Sequence, residues 1–495
     1  MTLRGGKRRP VARGWGAAVA VSVTLLAGCD ATPPAMTSAS APGASTREPV
    51  APIVHGPGAV DLGLKWNTFL TPPLTYADAI GWGATFTEVE WCATRDLGEG
   101  ERFAATDRAL AQAQGYGFTM MIKLRVGDCS GNAVATEPDE DGPKNPSSAP
   151  EDPARYAAWV EAMVRRYAPR GVRTWAVENE VDAANFWTGT PQEYAETARL
   201  VSGAVHAVDP TAVVLDAGVS STAYGVAIAG DLLDAGRESE ALAFYQAYYA
   251  RRLEGGVSRF PAVASVTALR RVLTGDRAVR ARAMIAANWE VLRSGVIGAY
   301  QLHFYEDPAV LPSVLDYVEN HLTARIPVQA WEVGTAWPGP SYDASAHAAD
   351  LIRDVGVLLA RRVSPIVYLP LAFTPRPGKR QVFRGLVAPD GALLPAGEVF
   401  RRIATSAKTS ASVLPVALGN GVTGRSSAGG SAFGSSSTSE PVPAGGGAIL
   451  VGTGASLGLL WTATRTPALV DLPGGRDAAL AAASRALGEP VTPAG

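Results

Sequence analysis

From residue 58 the chain alternates short apolar runs with longer stretches in which apolar residues recur every three or four positions. Short runs bounded by Gly, Pro or Asp read as buried strands, and the longer stretches as helices with one face on a core. Eight strands are predicted this way, at 61–66, 85–91, 119–125, 172–178, 212–216, 298–305, 326–332 and 365–373. Helical patterns fall between them at 103–114, 153–167, 191–208, 308–322 and 344–361, several opened by Pro or Asp in the manner of helix N-termini. The segment 232–293 carries no strand pattern and reads as two or three helices that enlarge the fifth connection. This alternation favours a parallel sheet wrapped by helices, and eight units predict an α/β fold, a (β/α)8 TIM barrel with insertions at 58–405. A doubly wound open sheet competes, but no glycine-rich phosphate loop follows the first strand.

Past the eighth strand, 382–394 reads as a hairpin turning at Pro389-Asp390-Gly391, and 396–405 as a closing helix. Residues 406–495 combine a Gly/Ser-rich linker with apolar runs at 413–418, 448–462 and 466–472, which predict a small C-terminal β-sheet or sandwich domain; 478–487 is helical in composition.

Composition changes the picture mainly at the N-terminus. A chain of 495 residues, 47% hydrophobic and 18% charged, can bury a large core. Its first residues place Arg4, Lys7, Arg8, Arg9 and Arg13 before an apolar run at 15–27, the order of an export signal. The signal ends in Leu26-Ala27-Gly28-Cys29, which resembles the bacterial lipobox, where cleavage before the cysteine leaves a lipidated residue. Residues 1–28 then form a lipoprotein signal peptide and 29–57, rich in Ala, Pro, Ser and Thr, a disordered tether that places the protein outside the cytoplasm on the bacterial membrane. Removing residues 1–28 takes away five basic and no acidic residues, so the formal charge goes from −2 to −7, with no footprint for nucleic acid. With Cys29 lipidated, Cys92 and Cys129 remain, each just past a predicted strand in an oxidising compartment, where a bridge between neighbouring loops competes with two free thiols. Zinc-ligand spacing is absent.

The chemistry centres on the run Trp175 to Glu180, an apolar strand that stops at Asn179 and Glu180. Val328-Gln329-Ala330-Trp331-Glu332 repeats the pattern in the seventh strand, so two carboxylates end separate strands on one rim of the barrel. Glycoside hydrolysis needs that pair, one carboxyl to protonate the leaving oxygen and one carboxylate to attack or stabilise the anomeric carbon. Asn179-Glu180, His303-Phe304-Tyr305, Glu332 and the closing segment from Phe383 to Gly397 resemble the clan A glycoside hydrolases, most closely family 39, over about residues 58–405. That resemblance implies a retaining hydrolase of an oligo- or polysaccharide, without metal or organic cofactor. In it Glu180 is the acid/base, Glu332 the nucleophile, Asn179 a partner of the sugar 2-hydroxyl and Tyr305 a donor to the nucleophile.

Alternation puts His303 and Tyr305 on one face and Phe304 on the other. Adjacent Asn179 and Glu180 would point oppositely in a regular strand, so a strand-end distortion is predicted there. A retaining mechanism also requires about 5 to 5.5 Å between the carboxyl groups. Glu178 shares the side of Glu180 by alternation and competes with it as the acid; it is assigned to a structural ion pair, and Glu88 and Glu90 to partners of Lys123 or Arg125. Trp66, Trp91, Trp187 and Trp337 are candidate stacking surfaces for sugar rings. Two departures from the clan, glutamates where strand two often carries arginine and Leu371-Ala372-Phe373 where strand eight often carries tryptophan, bear on the substrate. They also keep open a second reading, a catalytically inactive barrel that binds a surface polysaccharide.

Overall fold

The eight apolar runs form eight parallel strands, β1 (Leu62–Leu64), β2 (Gly83–Glu90), β3 (Phe118–Arg125), β4 (Thr174–Val177), β5 (Val213–Leu215), β6 (Tyr300–Phe304), β7 (Val328–Val333) and β8 (Ile366–Tyr368). The structure is a computed structural model that describes residues 61–65, 83–129, 146–256, 258–322, 326–338, 342–370, 381–388, 391–418, 445–462 and 465–494. Cys29, the signal and tether, Trp66, the 371–373 strand end and the Pro389-Asp390 turn lie outside the described residues.

Parallel pairing runs β2-β3-β4-β5 on one arc and β6-β7-β8-β1 on the other. A parallel bridge from Leu215 to Ala299 joins the arcs at one seam. At the other, β1 meets β2 so closely that a Cβ on Gly63 would collide with the Ala84 carbonyl, and one on Gly83 with the Leu62 carbonyl. Glycine at both positions is what lets the barrel close. Its interior holds Ala84, Phe86, Met121, Ala176, Leu215, Ala299, Trp331 and Val367 as a separate buried cluster. The alternate residues, among them Met120, Ile122, Leu124, Trp175, Val177, Leu302 and Phe304, face outward into the shell of helices. Along β3 the inward side therefore runs from Met121 to Lys123 and Arg125, which carries two cations to the C-terminal mouth.

The fifth connection holds four helices, Ser221–Asp234, Glu238–Glu254, Val266–Leu273 and Asp276–Arg293, with no strand among its described residues. After β7 the chain departs from expectation: Gln381–Arg384 is not an arm of the predicted hairpin but pairs antiparallel with an extra strand, Thr335–Pro338. The hairpin itself is shorter, closed by a bridge between Val387 and Leu393 and turned at Gly391 with φ 87°.

The C-terminal residues form one five-stranded antiparallel sheet in the order Ala468–Pro473, Ala455–Trp461, Gly446–Val451, Ser412–Leu418, Val491–Pro493. The run 448–462, expected as one strand, is two strands folded back on each other, because Gly452 and Gly454 break it. Trp461 packs on helix Ala344–Ala360, close enough that only glycine fits at Gly356. Helix Arg476–Leu487 is not a loose tail; its Ala479, Ala483 and Leu487 bury against the other face of the sheet. No helix among the described residues is long and apolar enough to cross a membrane.

Candidate active site

β4 ends at Val177, one residue earlier than the hydrophobic pattern suggests, because Glu178 turns to φ 64° and Glu180 to φ 39°. Left-handed backbone at residues other than glycine costs on the order of 1 to 3 kcal/mol each and persists only where the surroundings hold it. Here the Glu178 amide donates to the Leu124 carbonyl and the Glu180 amide to the Ala217 carbonyl. The distortion lets neighbouring Asn179 and Glu180 both reach the mouth. Glu178 instead lies buried in the wall, where its Oε1 accepts from the Val126 amide at 2.7 Å and its Oε2 lies 3.8 Å from Arg125. Burial outweighs those contacts and pushes its carboxyl up to about 7. Its carboxyl thus lies in the wall beside Arg125, away from the mouth.

At the far side of the mouth Glu332 follows the inward-pointing Trp331. The register of β7 slips against both β6 and β8 at this point, which is how consecutive residues come to serve the barrel interior. Glu332 Oε1 accepts from Lys123 Nζ at 2.6 Å and Oε2 from the Tyr305 hydroxyl at 2.8 Å. Lys123 is fully buried; its ammonium also donates to Asn179 Oδ1 at 2.6 Å and sits 4.6 Å above the centre of the Phe86 ring. Burial would raise the Glu332 carboxyl, but the charges of His303 and Lys123 and the bonds from Lys123 and Tyr305 prevail and hold it well below the usual carboxylate range.

His303 lies between the two glutamates. Its Nδ1 is 3.1 Å from Glu180 Oε1, and its Nε2 is 2.9 Å from Gln301 Oε1 and 3.7 Å from Glu332 Oε1. Gln301 Nε2 donates to the Asp216 carbonyl at 2.7 Å, which makes its Oε1 the acceptor of the His303 Nε2 proton. Nδ1 is the ring atom that faces Glu180. Gly218, at φ 64°, leaves the room that the ring needs; a Cβ there would stand 2.8 Å from Nε2. An oxygen of Glu180, an oxygen of Glu332 and a ring nitrogen of His303 all lie within 4.8 Å of one another. Those atoms could converge on a cation, but Lys123 already supplies the positive charge beside them.

The structure thus brings together Asn179, Glu180, His303, Tyr305 and Glu332. Of the candidate tryptophans, Trp91 and Trp187 are not among them. Trp91 is 1% exposed, its ring centre 5.4 Å from that of Tyr156 at a tilt of 49° and the Arg95 guanidinium over its ring, so it is core rather than a sugar platform. Trp187 is likewise buried, edge-on to Tyr194. The side chain of Trp337 lies outside the described residues. Arg125 pairs with Glu90 at 2.9 Å and Glu88 at 3.5 Å, while Lys123 is bound to Glu332 instead. Cys92 and Cys129 are disulfide-bonded, tying the loops after β2 and β3.

Sequence reasoning missed Lys123 and Lys65 as site residues. Lys65 Nζ donates to the Phe86 carbonyl at 2.5 Å, and burial lowers its ammonium to about 8 despite the opposing charge of Glu88. The available signal was a lysine directly after the apolar run Leu62–Leu64 and another between Ile122 and Leu124.

No known protein family and no curated protein matches this chain. Among solved structures it is similar to a glucosidase from Croceicoccus marinus, at 13% identity over 71% of this chain and 69% of that one, with a TM-score of 0.46. An exo-β-1,4-mannosidase from an Opitutaceae bacterium aligns at 16% identity over 70% and 59% of the two chains, with a TM-score of 0.42. A GH39 β-xylosidase from Caulobacter crescentus aligns at 16% over 71% and 73%, with a TM-score of 0.41. These are partial likenesses at low identity, and the functional reading rests on the carboxylate geometry of the chain itself.

Proposed function

We propose that this chain is a retaining glycoside hydrolase that cleaves an oligo- or polysaccharide outside the cytoplasm, tethered to the membrane through a lipid on Cys29. The observation that carries the reading is the approach of Glu180 and Glu332 oxygens to within 4.8 Å, with His303 beside them. Inverting enzymes hold their carboxyl groups roughly 6.5 to 9.5 Å apart to admit a water, whereas direct attack by one carboxylate needs about 5 to 5.5 Å.

In this mechanism Glu180 gives its proton to the glycosidic oxygen while the Glu332 carboxylate attacks the anomeric carbon, forming a glycosyl ester and releasing the leaving group. Glu180, now a carboxylate, takes a proton from water, which attacks the same carbon and frees Glu332. Lys123 and Tyr305 each hold one oxygen of Glu332, so the nucleophile is ionised and aimed before substrate arrives. Asn179 spends its Oδ1 on Lys123, leaving Nδ2 to donate to the sugar 2-hydroxyl. Two matched carboxyls and two strained residues holding one of them favour turnover over mere binding.

The test is incubation with a panel of activated 2-fluoro sugars followed by peptide mass spectrometry. A stable adduct on Glu332 is expected; glycan binding with neither adduct nor hydrolysis would leave the binding barrel as the better account.

A further inference from the structure

Beside the loop that carries Glu180 a small recess opens to solvent, with a cavity volume of about 20 Å³. Asp182, Ser220 and Thr222 line it as buried polar residues, together with Arg259, Arg277 and Arg280. Arg280 gives its Nη groups to the Gly189, Val181 and Trp187 carbonyls and Arg277 Nη1 donates to the Arg259 carbonyl at 2.6 Å, so three arginines and one carboxylate share the lining. That carboxylate is already engaged, Oδ1 accepting from the Ser220 amide at 2.7 Å and Oδ2 from the Ser220 hydroxyl at 2.5 Å. Burial first, and then the neighbouring Glu180, pushes the Asp182 carboxyl up to about 7, which weakens the one negative charge in the lining.

Two helices add to the positive side. Ser220 is the N-cap of Ser221–Asp234; its hydroxyl lies 3.1 Å from the Thr222 hydroxyl and caps no first-turn amide. Arg277, Arg280 and Ala281 belong to the opening turns of Asp276–Arg293. Helix N-termini carry partial positive charge and unpaired amides, and arginine forks match carboxylate and sulfate geometry. The recess is also fixed to the acid's own loop, since Arg280 Nη2 donates to the carbonyls of Val181 at 3.2 Å and Trp187 at 2.6 Å.

We propose that this recess binds an anionic substituent, a carboxylate or a sulfate ester, on the leaving-group side of the substrate, so that the enzyme acts on an acidic glycan. The placement on the leaving-group side rests on the glycosidase reading, in which Glu180 protonates that side of the bond. The anion site itself rests on the lining.

Calorimetric titration of the full chain with three disaccharides of one linkage, bearing a uronic acid, a sulfated sugar or only neutral sugars, tests it. The acidic ligands should bind about tenfold or more tightly than the neutral one, with added salt weakening only the acidic pair; whichever of the two binds tighter identifies the group. The double variant Arg259→Gln/Arg277→Gln should reduce the preference to about twofold. Arg280 is left intact because it holds the loop. Equal affinity for all three ligands in the wild type overturns the proposal without reliance on any variant, as does a preference that survives the double substitution in a folded protein. Fluoro-sugar labelling of the wild type separates the two readings. An adduct on Glu332 with no acidic preference overturns the recess alone, whereas acidic preference with no adduct overturns the glycosidase and leaves the anion site standing.

Discussion

Lys123→Met removes the ammonium from the centre of the site while keeping an apolar stem over Phe86. In the native protein Lys123 is fully buried and its Nζ lies 2.6 Å from both Glu332 Oε1 and Asn179 Oδ1. Deleting one partner of a buried ion pair leaves the other charge uncompensated and costs roughly 3 to 5 kcal/mol. For a protein of this size that is a fall in melting temperature of roughly 3 to 6 °C. The same loss acts on Glu332, the proposed nucleophile. Glu332 is now held well below its ordinary value against the opposing effect of burial, and without Lys123 burial has less to overcome. Each pH unit corresponds to about 1.4 kcal/mol, so losing about 3 kcal/mol of that support moves the acid limb of kcat/KM up by about two units. A carboxylate with depressed folded pKa stabilises the native state above its unfolded value of about 4.3, and that contribution disappears as pH falls through the folded value. The gap in melting temperature between wild type and variant should therefore be widest near neutrality and narrow below about pH 4. The assays are a pH–rate profile on an activated glycoside and melting curves at several pH values. A variant that loses rate with its acid limb unmoved, or whose stability gap does not narrow as pH falls below about 4, would refute the assignment of Lys123 as the partner that keeps Glu332 ionised.

Glu180→Gln should depress hydrolysis of sugars with poor leaving groups by about 10² to 10⁴, and of activated aryl glycosides far less, since only the former need a proton in the first step; equal loss on both sinks the acid/base role. Cys92→Ala with Cys129→Ala opens a loop closed across 37 residues and should cost roughly 3 to 4 kcal/mol, read as a lower denaturant midpoint, with two free thiols in the unreduced wild type ruling out the bridge. Glu178, Asp182 and Asp216 are each pushed up to about 7, burial being the largest cause in all three. Groups whose folded pKa is raised favour the native state below the unfolded value near 4 and lose that contribution as pH rises through the folded value. Melting temperature should accordingly be higher at pH 5 than at pH 8, and a flat profile between the two would contradict this.

What the sequence disclosed and what it withheld have a common cause. Parallel strands of a barrel are buried on both faces, so their runs are apolar throughout and announce a strand without saying which side is inside. The eight strands were legible for that reason, and Glu180, Glu332, His303 and Tyr305 were legible because polar residues at strand ends break the run. Lys123 was hidden by the same physics. In Phe118–Arg125 it sits between Ile122 and Leu124, and only the closed barrel shows that Met121, Lys123 and Arg125 share the interior side. Trp91 and Trp187 failed as sugar platforms because proximity to a strand end does not distinguish a ring aimed at the mouth from one folded under a helix. The cation beside Glu332 comes from β3, so Glu88 on β2 is left facing Lys65, Lys123 and Arg125, whose charges lower its carboxyl against the opposing effect of burial. A glutamate and a lysine, rather than an arginine, then stand at the mouth near Glu332. The competition between Glu178 and Glu180 turns on two backbone angles that no side-chain pattern encodes. At φ 64° the first stays with the wall and at φ 39° the second swings to His303, so the strain at the end of β4 is what separates a structural carboxyl from the proposed acid.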